Sequence, residues 1–337
     1  MQEQALNYCT QAIESLTEQS RNFEFDSPMT AQNIRKVAAL LQESVKFYLP
    51  DNGRLFDDGL RALPAVFRLP YPIIAGEFRI VGKAPAAHQP LANSGVEIED
   101  CTKRIALAIE INEANVDQFS WLVGRNRSHL YLGDGAIAII PVFYSDIDAC
   151  WKIPPFGSVF SCHKSHANPD AIAMTNSVYG DKIPKGMTRI PITTYRTFLM
   201  PESCAELEIH NGQEHTMAMM AQDTNDEFVA VMELIEILSC KNVSTDTLAA
   251  PQALNKKRAG KGKPPFFEYK VLMLDHLGES KESTGAPRGT HASPRVHLRR
   301  GHIRRLTERN VWVNAAVVGN KQAGMVMKDY AVKTPSK

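Results

Sequence analysis

The chain has 337 residues, 44% hydrophobic and 22% charged, with a formal net charge of +1. That composition supports a sizeable buried core and excludes a disordered or fibrous chain. No apolar run approaches a membrane span, and the opening MQEQALNYCTQAIESL lacks the basic-then-apolar order of a signal peptide. Six cysteines, scattered without a C-x-x-C pair, then read as free thiols of a reducing, cytoplasmic setting.

In chain order, residues 1–20 and 30–49 read as helices. In the second, Ile34, Val37, Ala38, Leu41 and Val45 recur at helical spacing, Thr30 serves as N-cap and Pro50 as stop. From Leu63 the texture changes to a proline-rich stretch, LPAVFRLPYPIIAGEFRIVGK, which becomes strand-like from Ile73 to Val81. RIALAIEIN (104–112) and GDGAIAIIPVFY (133–144) predict further strands of one sheet, with WLVGRNRSHLYLG (121–133) able to pair beside them. Residues 151–203 are the least regular and end in a strand candidate, ITTYRTFLM.

The clearest helix comes next. Thr224 and Glu227 stand in capping-box spacing, Phe228, Val231, Met232, Ile235 and Leu238 form one apolar stripe, and the end falls near Cys240. LNKKRAGKGKPP (254–265) reads as a loop leading into a strand, FFEYKVLML (266–274). Residues 278–294 are small and polar, so they read as a mobile linker. Strand, turn (Thr307–Asn310) and strand follow, then a last strand near Gly324–Val332.

No internal repeat is visible. The expected fold is α+β, with N-terminal helices, a mainly antiparallel sheet and a basic C-terminal β-hairpin region. Three regions are expected: a helical segment (1–60), an acidic α+β core (61–240) and a basic β-rich region (241–337).

The small net charge conceals an asymmetry. Residues 1–240 carry 19 Lys+Arg against 30 Asp+Glu, whereas residues 241–337 carry 19 against 7. Halves of opposite sign point to a polyanion or an acidic protein face as partner, or to the two halves docking on each other.

Two stretches concentrate the positive charge. In the first, Lys256, Lys257, Arg258, Lys261 and Lys263 are interleaved with Gly260 and Gly262, which let the backbone turn sharply around one anion. The order of a Walker loop is absent, so contacts to a nucleic acid backbone fit better than a nucleotide pocket. The second stretch, RVHLRRGHIRRLTER, holds Arg299, Arg300, His302, Arg304 and Arg305. On one continuous strand, His297, Arg299, Gly301, Ile303 and Arg305 would share a face, and Leu298, Arg300, His302, Arg304 and Leu306 the other. Arginine outnumbers lysine there, which favours bidentate grips on phosphate. Trp312 could stack on a base or belong to the core.

Catalytic signals are weak. His297 and His302 fall on opposite strand faces, and the region shows no clustered carboxylates of the kind a metal-dependent nuclease needs, Glu268 and Asp275 being its candidates. Cys162, His163, His166 and Asp170 match no standard zinc spacing, and no G-x-S-x-G, H-E-x-x-H or P-loop occurs. No metal or cofactor is expected.

Three stretches, RLPYPIIAGEF (68–78), CKNV with LNKKRAGKGKPPFFEYKVL (240–243 and 254–272), and HLRRGHIRRL with VWV and a later glycine (297–319), together resemble a family of uncharacterised proteins of bacteriophages and prophage-like elements. The resemblance implies a phage-type intracellular setting and assigns no catalytic residues. The leading expectation is a phage-type nucleic-acid-binding protein acting through its basic loop and hairpin, on DNA or RNA. The alternatives are a protein-binding inhibitor of a host factor that uses the acidic part, and a hydrolase or nuclease with a dispersed site.

Overall fold

The structure, a computed structural model, describes residues 5–56, 68–82, 101–124, 130, 132, 135–162, 192–274, 295–299, 302–306, 309–313, 316–318 and 320–325. Helix α1 (Tyr8–Asn22) buries Cys9, Ala12, Ile13 and Leu16, and α2 (Pro28–Glu43) buries Ile34, Val37, Ala38 and Leu41. Both stripes follow the helical period and enter one core with alternate residues of the sheet: Ile105, Leu107 and Ile109 of β3 (Cys101–Ile111) and Ala138, Ile140 and Val142 of β4 (Ala136–Ser145). Pro28 opens α2 in its first turn, with Ser27 at the N-cap position. The hydroxyl and N–H of Thr30, the expected cap, instead donate to the Glu202 carboxylate at 2.6 and 3.1 Å.

The helix expected over 30–49 stops at Glu43. Ser44 turns extended (ψ 150°), and Val45–Tyr48 becomes strand β1. The branched and aromatic side chains of Val45, Phe47 and Tyr48 suit a pleated strand, and Phe47 is fully buried there. β1 lies inside the sheet, parallel both to β2 (Ile73–Arg79) and to β9 (Tyr269–Leu274), with Lys46 opposite Tyr269.

The remaining strands of this sheet are β5 (Cys150–Lys152), β6 (Phe156–Cys162), β7 (Ile192–Phe198) and β8 (Val243–Leu248). The order is β7-β6-β4-β3-β2-β1-β9-β8, with β5 beside β4, and the pairings from β2 through β7 are all antiparallel. The fold is α+β, and its nine-stranded sheet is mixed. Segment 120–123, expected as part of a strand, is a helical turn, α3 (Ser120–Val123), ended at Gly124 with φ 51°.

Helix α4 (Pro201–Leu238) lies across β3, β4 and β6. Phe228 stacks on Phe160 at 4.4 Å between ring centroids, while Ala106, Ala108, Ile137 and Ile139 are as fully buried as their neighbours on the α1–α2 side. Cover on both faces explains why β3 and β4 read as nearly continuous apolar runs instead of clean alternations. α4 begins far before the expected Thr224. Its first half carries no single apolar stripe, and Gly212 (φ 78°) interrupts the helical geometry.

The chain divides into two compact units, where the sequence predicts three regions breaking at 60 and 240. Unit 1 comprises Met1–Ser239 and Thr245–Met273; unit 2 comprises Cys240–Ser244 and Leu274–Lys337. The N-terminal helices share the sheet's core, and β9 joins that sheet beside β1, so neither belongs to a separate body.

In unit 2, β10 (Arg295–Arg299) pairs with β13 (Ala316–Val318) and β14 (Asn320–Met325). β11 (His302–Leu306) forms a hairpin with β12 (Arg309–Val313), Ile303 opposite Trp312. The expected single strand through 297–305 is therefore two strands with different partners, and its alternating faces do not continue from one to the other. The side-chain amide of Asn242 donates to the Trp312 carbonyl at 2.9 Å and accepts its N–H at 2.8 Å, in the manner of a neighbouring strand. The expected linker 278–294 lies outside the described residues. Cys9, Cys101 and Cys204 are free thiols. Among the described residues, no helix is long and apolar enough to cross a membrane.

Candidate functional site

Between β8 and β9 the chain makes a basic excursion. Its first part, expected as a loop, is helix α5 (Gln252–Ala259). Gly260 caps it, and Gly262 at φ 63° turns the chain back, with the N–H groups of Lys261 and Lys263 both donating to the Arg258 carbonyl at 2.9 and 3.1 Å. Lys256, Lys257 and Arg258 occupy the last turn, where positive charge complements the exposed carbonyl end of the helix.

The returning segment is tied down by side chains. Asn255 donates to the Phe266 carbonyl and accepts its N–H, both at 2.8 Å, and the Thr10 hydroxyl of α1 donates to the Pro265 carbonyl at 2.8 Å. Helix and return together enclose a cleft of about 240 Å³ lined by Leu254, Lys257, Arg258, Lys261, Lys263 and Phe266. Leu254, Lys257 and Arg258 are separated by three and four positions, the spacing that places side chains on one side of a helix, and Lys261 follows in the turn beyond Gly260.

Four of the five cations expected to act in this stretch thus meet at one cleft. Lys256, equally exposed, is not among its walls. Lys257, Lys261 and Lys263 are exposed, whereas Arg258 is anchored: its Nε donates to the Pro264 carbonyl at 2.6 Å, a terminal nitrogen pairs with the Glu14 carboxylate, and its guanidinium lies 4.5 Å from the centre of the Phe266 ring. No acidic residue occurs between Asp246 and Glu268, so the charge this segment brings to the cleft is of one sign.

The second set of cations belongs to unit 2. Arg299 ends β10 opposite Ala316; His302, Arg304 and Arg305 sit in β11 opposite Val313, Val311 and Asn310, with Arg304 exposed. Arg300 lies outside the described residues. Cys162 ends β6 opposite Ile192, and His163, His166 and Asp170 lie outside the described residues. Among the described residues, no group of three His, Cys, Asp or Glu side chains is placed to hold a metal ion.

The structure also contains two buried polar centres, each built on carboxylates, that the sequence does not announce. Glu77 of β2, fully buried, accepts the N–H groups of Tyr8 and Cys9 at 2.9 and 2.7 Å, and the Tyr269 hydroxyl at 2.9 and 3.0 Å from its two oxygens. Its carboxylate therefore caps the N-terminus of α1. Burial pushes the Glu77 carboxyl above the usual range, against the lowering effect of those hydrogen bonds, and burial together with Glu77 pushes the Tyr269 hydroxyl up.

On the other side of the sheet, Arg104 of β3 meets Glu227 at 2.7 Å and Asp226 at 3.3 Å. Glu233, less than two helical turns further along α4, accepts the N–H groups of Leu55 and Phe56 at 2.6 and 3.1 Å. The available signal is a charged residue inside an apolar element: Glu77 in IIAGEFRI, and Glu227, Glu233 and Glu236 in EFVAVMELIEIL. Their burial within one packed body assigns them to holding elements together.

Lys46 adds a pH-dependent element. It is 3% exposed, donates to the carbonyls of Gln42 and Ser44, and lies over the Phe267 ring; burial pushes its ammonium down to about 8. With a folded value below the unfolded 10.5, the unfolded chain holds more protons between about pH 8 and 10.5. Stability from this group is therefore present above 10.5 and lost as pH falls to about 8, a difference of roughly 3 kcal/mol at most. Denaturation midpoints of the parent and Lys46→Met should diverge in slope across pH 8–10, the parent rising more steeply; parallel profiles would contradict the assignment.

No protein-family model, no curated protein and no solved structure matches the chain.

Proposed function

We propose that this chain binds nucleic acid, DNA or RNA, through the basic excursion between β8 and β9, in the cytoplasm of a cell that hosts a phage or prophage-like element. The convergence of Lys257, Arg258, Lys261 and Lys263 on one cleft whose walls include no carboxylate, with Glu14 reserved for holding Arg258, carries the reading. Ammonium groups on flexible stems meet phosphates as point charges and release counterions, so affinity rests on the backbone more than on sequence. The scaffold beneath them is ordered by Asn255, Thr10 and Arg258, so little conformational freedom is lost on binding. The phage-type setting rests on the resemblance of the three stretches and is independent of the cleft.

The test is the triple variant Lys257→Ala, Lys261→Ala, Lys263→Ala, with binding to random-sequence oligonucleotides followed by fluorescence anisotropy across a salt series. Affinity at low salt should fall, and the salt slope should flatten by roughly one unit for each phosphate the variant no longer neutralises. Thermal stability should change little, because exposed truncations cost less than about 0.5 kcal/mol each. Parent-like affinity and salt slope in the triple variant would refute the assignment.

A further inference from the structure

The cleft is not uniformly cationic. Leu254, 49% exposed, and Phe266 supply an apolar part of its lining beside the three lysines. Arg258 stands between the two kinds of wall. Donation to the Pro264 carbonyl and pairing with Glu14 engage its Nε and one terminal nitrogen, and the Phe266 ring backs the guanidinium at 4.5 Å. A guanidinium held this way has its Nε edge already occupied and closed to phosphate. Its orientation, however, is fixed from two directions, and a fixed guanidinium plane is a surface on which a nucleobase stacks.

We infer that the cleft accommodates one unpaired nucleotide, its base against the Phe266–Arg258 stack and Leu254 and its flanking phosphates on Lys257, Lys261 and Lys263, so that the chain selects single-stranded over duplex nucleic acid. This rests on the nucleic-acid reading above and adds the strandedness of the ligand to it. A duplex offers the same phosphates to the lysines, but its bases are stacked on one another and their faces are closed to the cleft. Unpaired bases present those faces, and every base has one, so the selection is for strandedness and tolerates sequence.

The experiment compares three probes of equal length at one low salt concentration: oligothymidylate, a mixed-sequence duplex, and a strand of abasic sugar-phosphate units. Oligothymidylate should bind about tenfold more tightly than either of the others, in line with the worth of base–side-chain stacking. Arg258→Lys, which keeps the charge and removes the plane, should erase most of that advantage while leaving the salt slope unchanged. Leu254→Ser, at an exposed position, should reduce the advantage without altering the melting temperature. Equal affinity for the abasic strand and oligothymidylate, or for duplex and single strand, overturns the inference and leaves the nucleic-acid reading standing. Absence of binding to all three probes overturns both.

Discussion

Glu77→Ala is expected to destabilise the protein by about 3–5 kcal/mol, the cost of leaving three buried hydrogen-bond donors without their acceptor. The substitution leaves the N–H groups of Tyr8 and Cys9 without their acceptor at the start of α1, and strands the Tyr269 hydroxyl in the same enclosed space. Each buried donor without an acceptor costs roughly 1–3 kcal/mol. Against a total stability of about 5–15 kcal/mol, such a loss brings the variant near its unfolding threshold. Tyr269→Phe removes a single donor and should cost only about 1 kcal/mol. Glu77→Gln should fall between them, since the amide retains one oxygen to accept while its NH₂ faces donors. Urea denaturation of the three variants should rank them in that order; a Glu77→Ala variant within about 1 kcal/mol of the parent would show that the cap contributes nothing.

Arg104→Met is the second large effect expected. Arg104 is the cation beside Glu227, whose side chain is fully buried, and beside Asp226 on the same turn of α4. Removing it leaves buried carboxylate charge under-compensated, for a destabilisation of about 3–5 kcal/mol. The informative measurement is the double variant Arg104→Met with Glu227→Leu. With both charges gone and apolar volume in their place, much of the stability should return, giving a coupling of several kcal/mol in the mutant cycle. Additive effects would mean that the two residues act independently.

The elements legible in the sequence are those whose pattern is local. β2, β3, β4 and β7, the stripes of α1 and α2, and the end of α4 all follow from apolar periodicity and turn residues within a short window. β1 is hidden because Val45 also continues the α2 stripe and Pro50 imitates a helix stop. What makes Val45–Tyr48 a strand is pairing with β2 and with β9, far away in the chain. The first half of α4 shows no stripe because the helix breaks at Gly212, so the apolar positions on either side do not line up. α5 is hidden by its shortness and by the Pro251 and the Gly260 and Gly262 that bracket it: QALNKKRA consists largely of good helix formers, but eight residues are marginal alone, and the tertiary ties of Asn255 and Arg258 hold them in place.

The candidate site divides in the same way. That Lys256, Lys257, Arg258, Lys261 and Lys263 form a basic group is readable. That Arg258 serves as an anchored platform is not, because its carboxylate partner, Glu14, is 244 residues distant. The same limit hides Glu77, whose donors come from α1 and from β9.

The position of β1 has a consequence for how the chain is made. Synthesis proceeds from the N-terminus, so Lys46 emerges about two thirds of the chain before Tyr269, its neighbour in the finished sheet. Throughout that interval β1 has β2 on one side and nothing from its own chain on the other. An unsatisfied strand edge of this kind is a template for pairing with other nascent chains. Sealing it requires one of the longer loop closures in the molecule, whose entropic cost grows only slowly with length. The Glu77–Tyr269 hydrogen bond beside that seam can form only once β9 has arrived, so the last partner of this buried carboxylate comes from the far end of the chain.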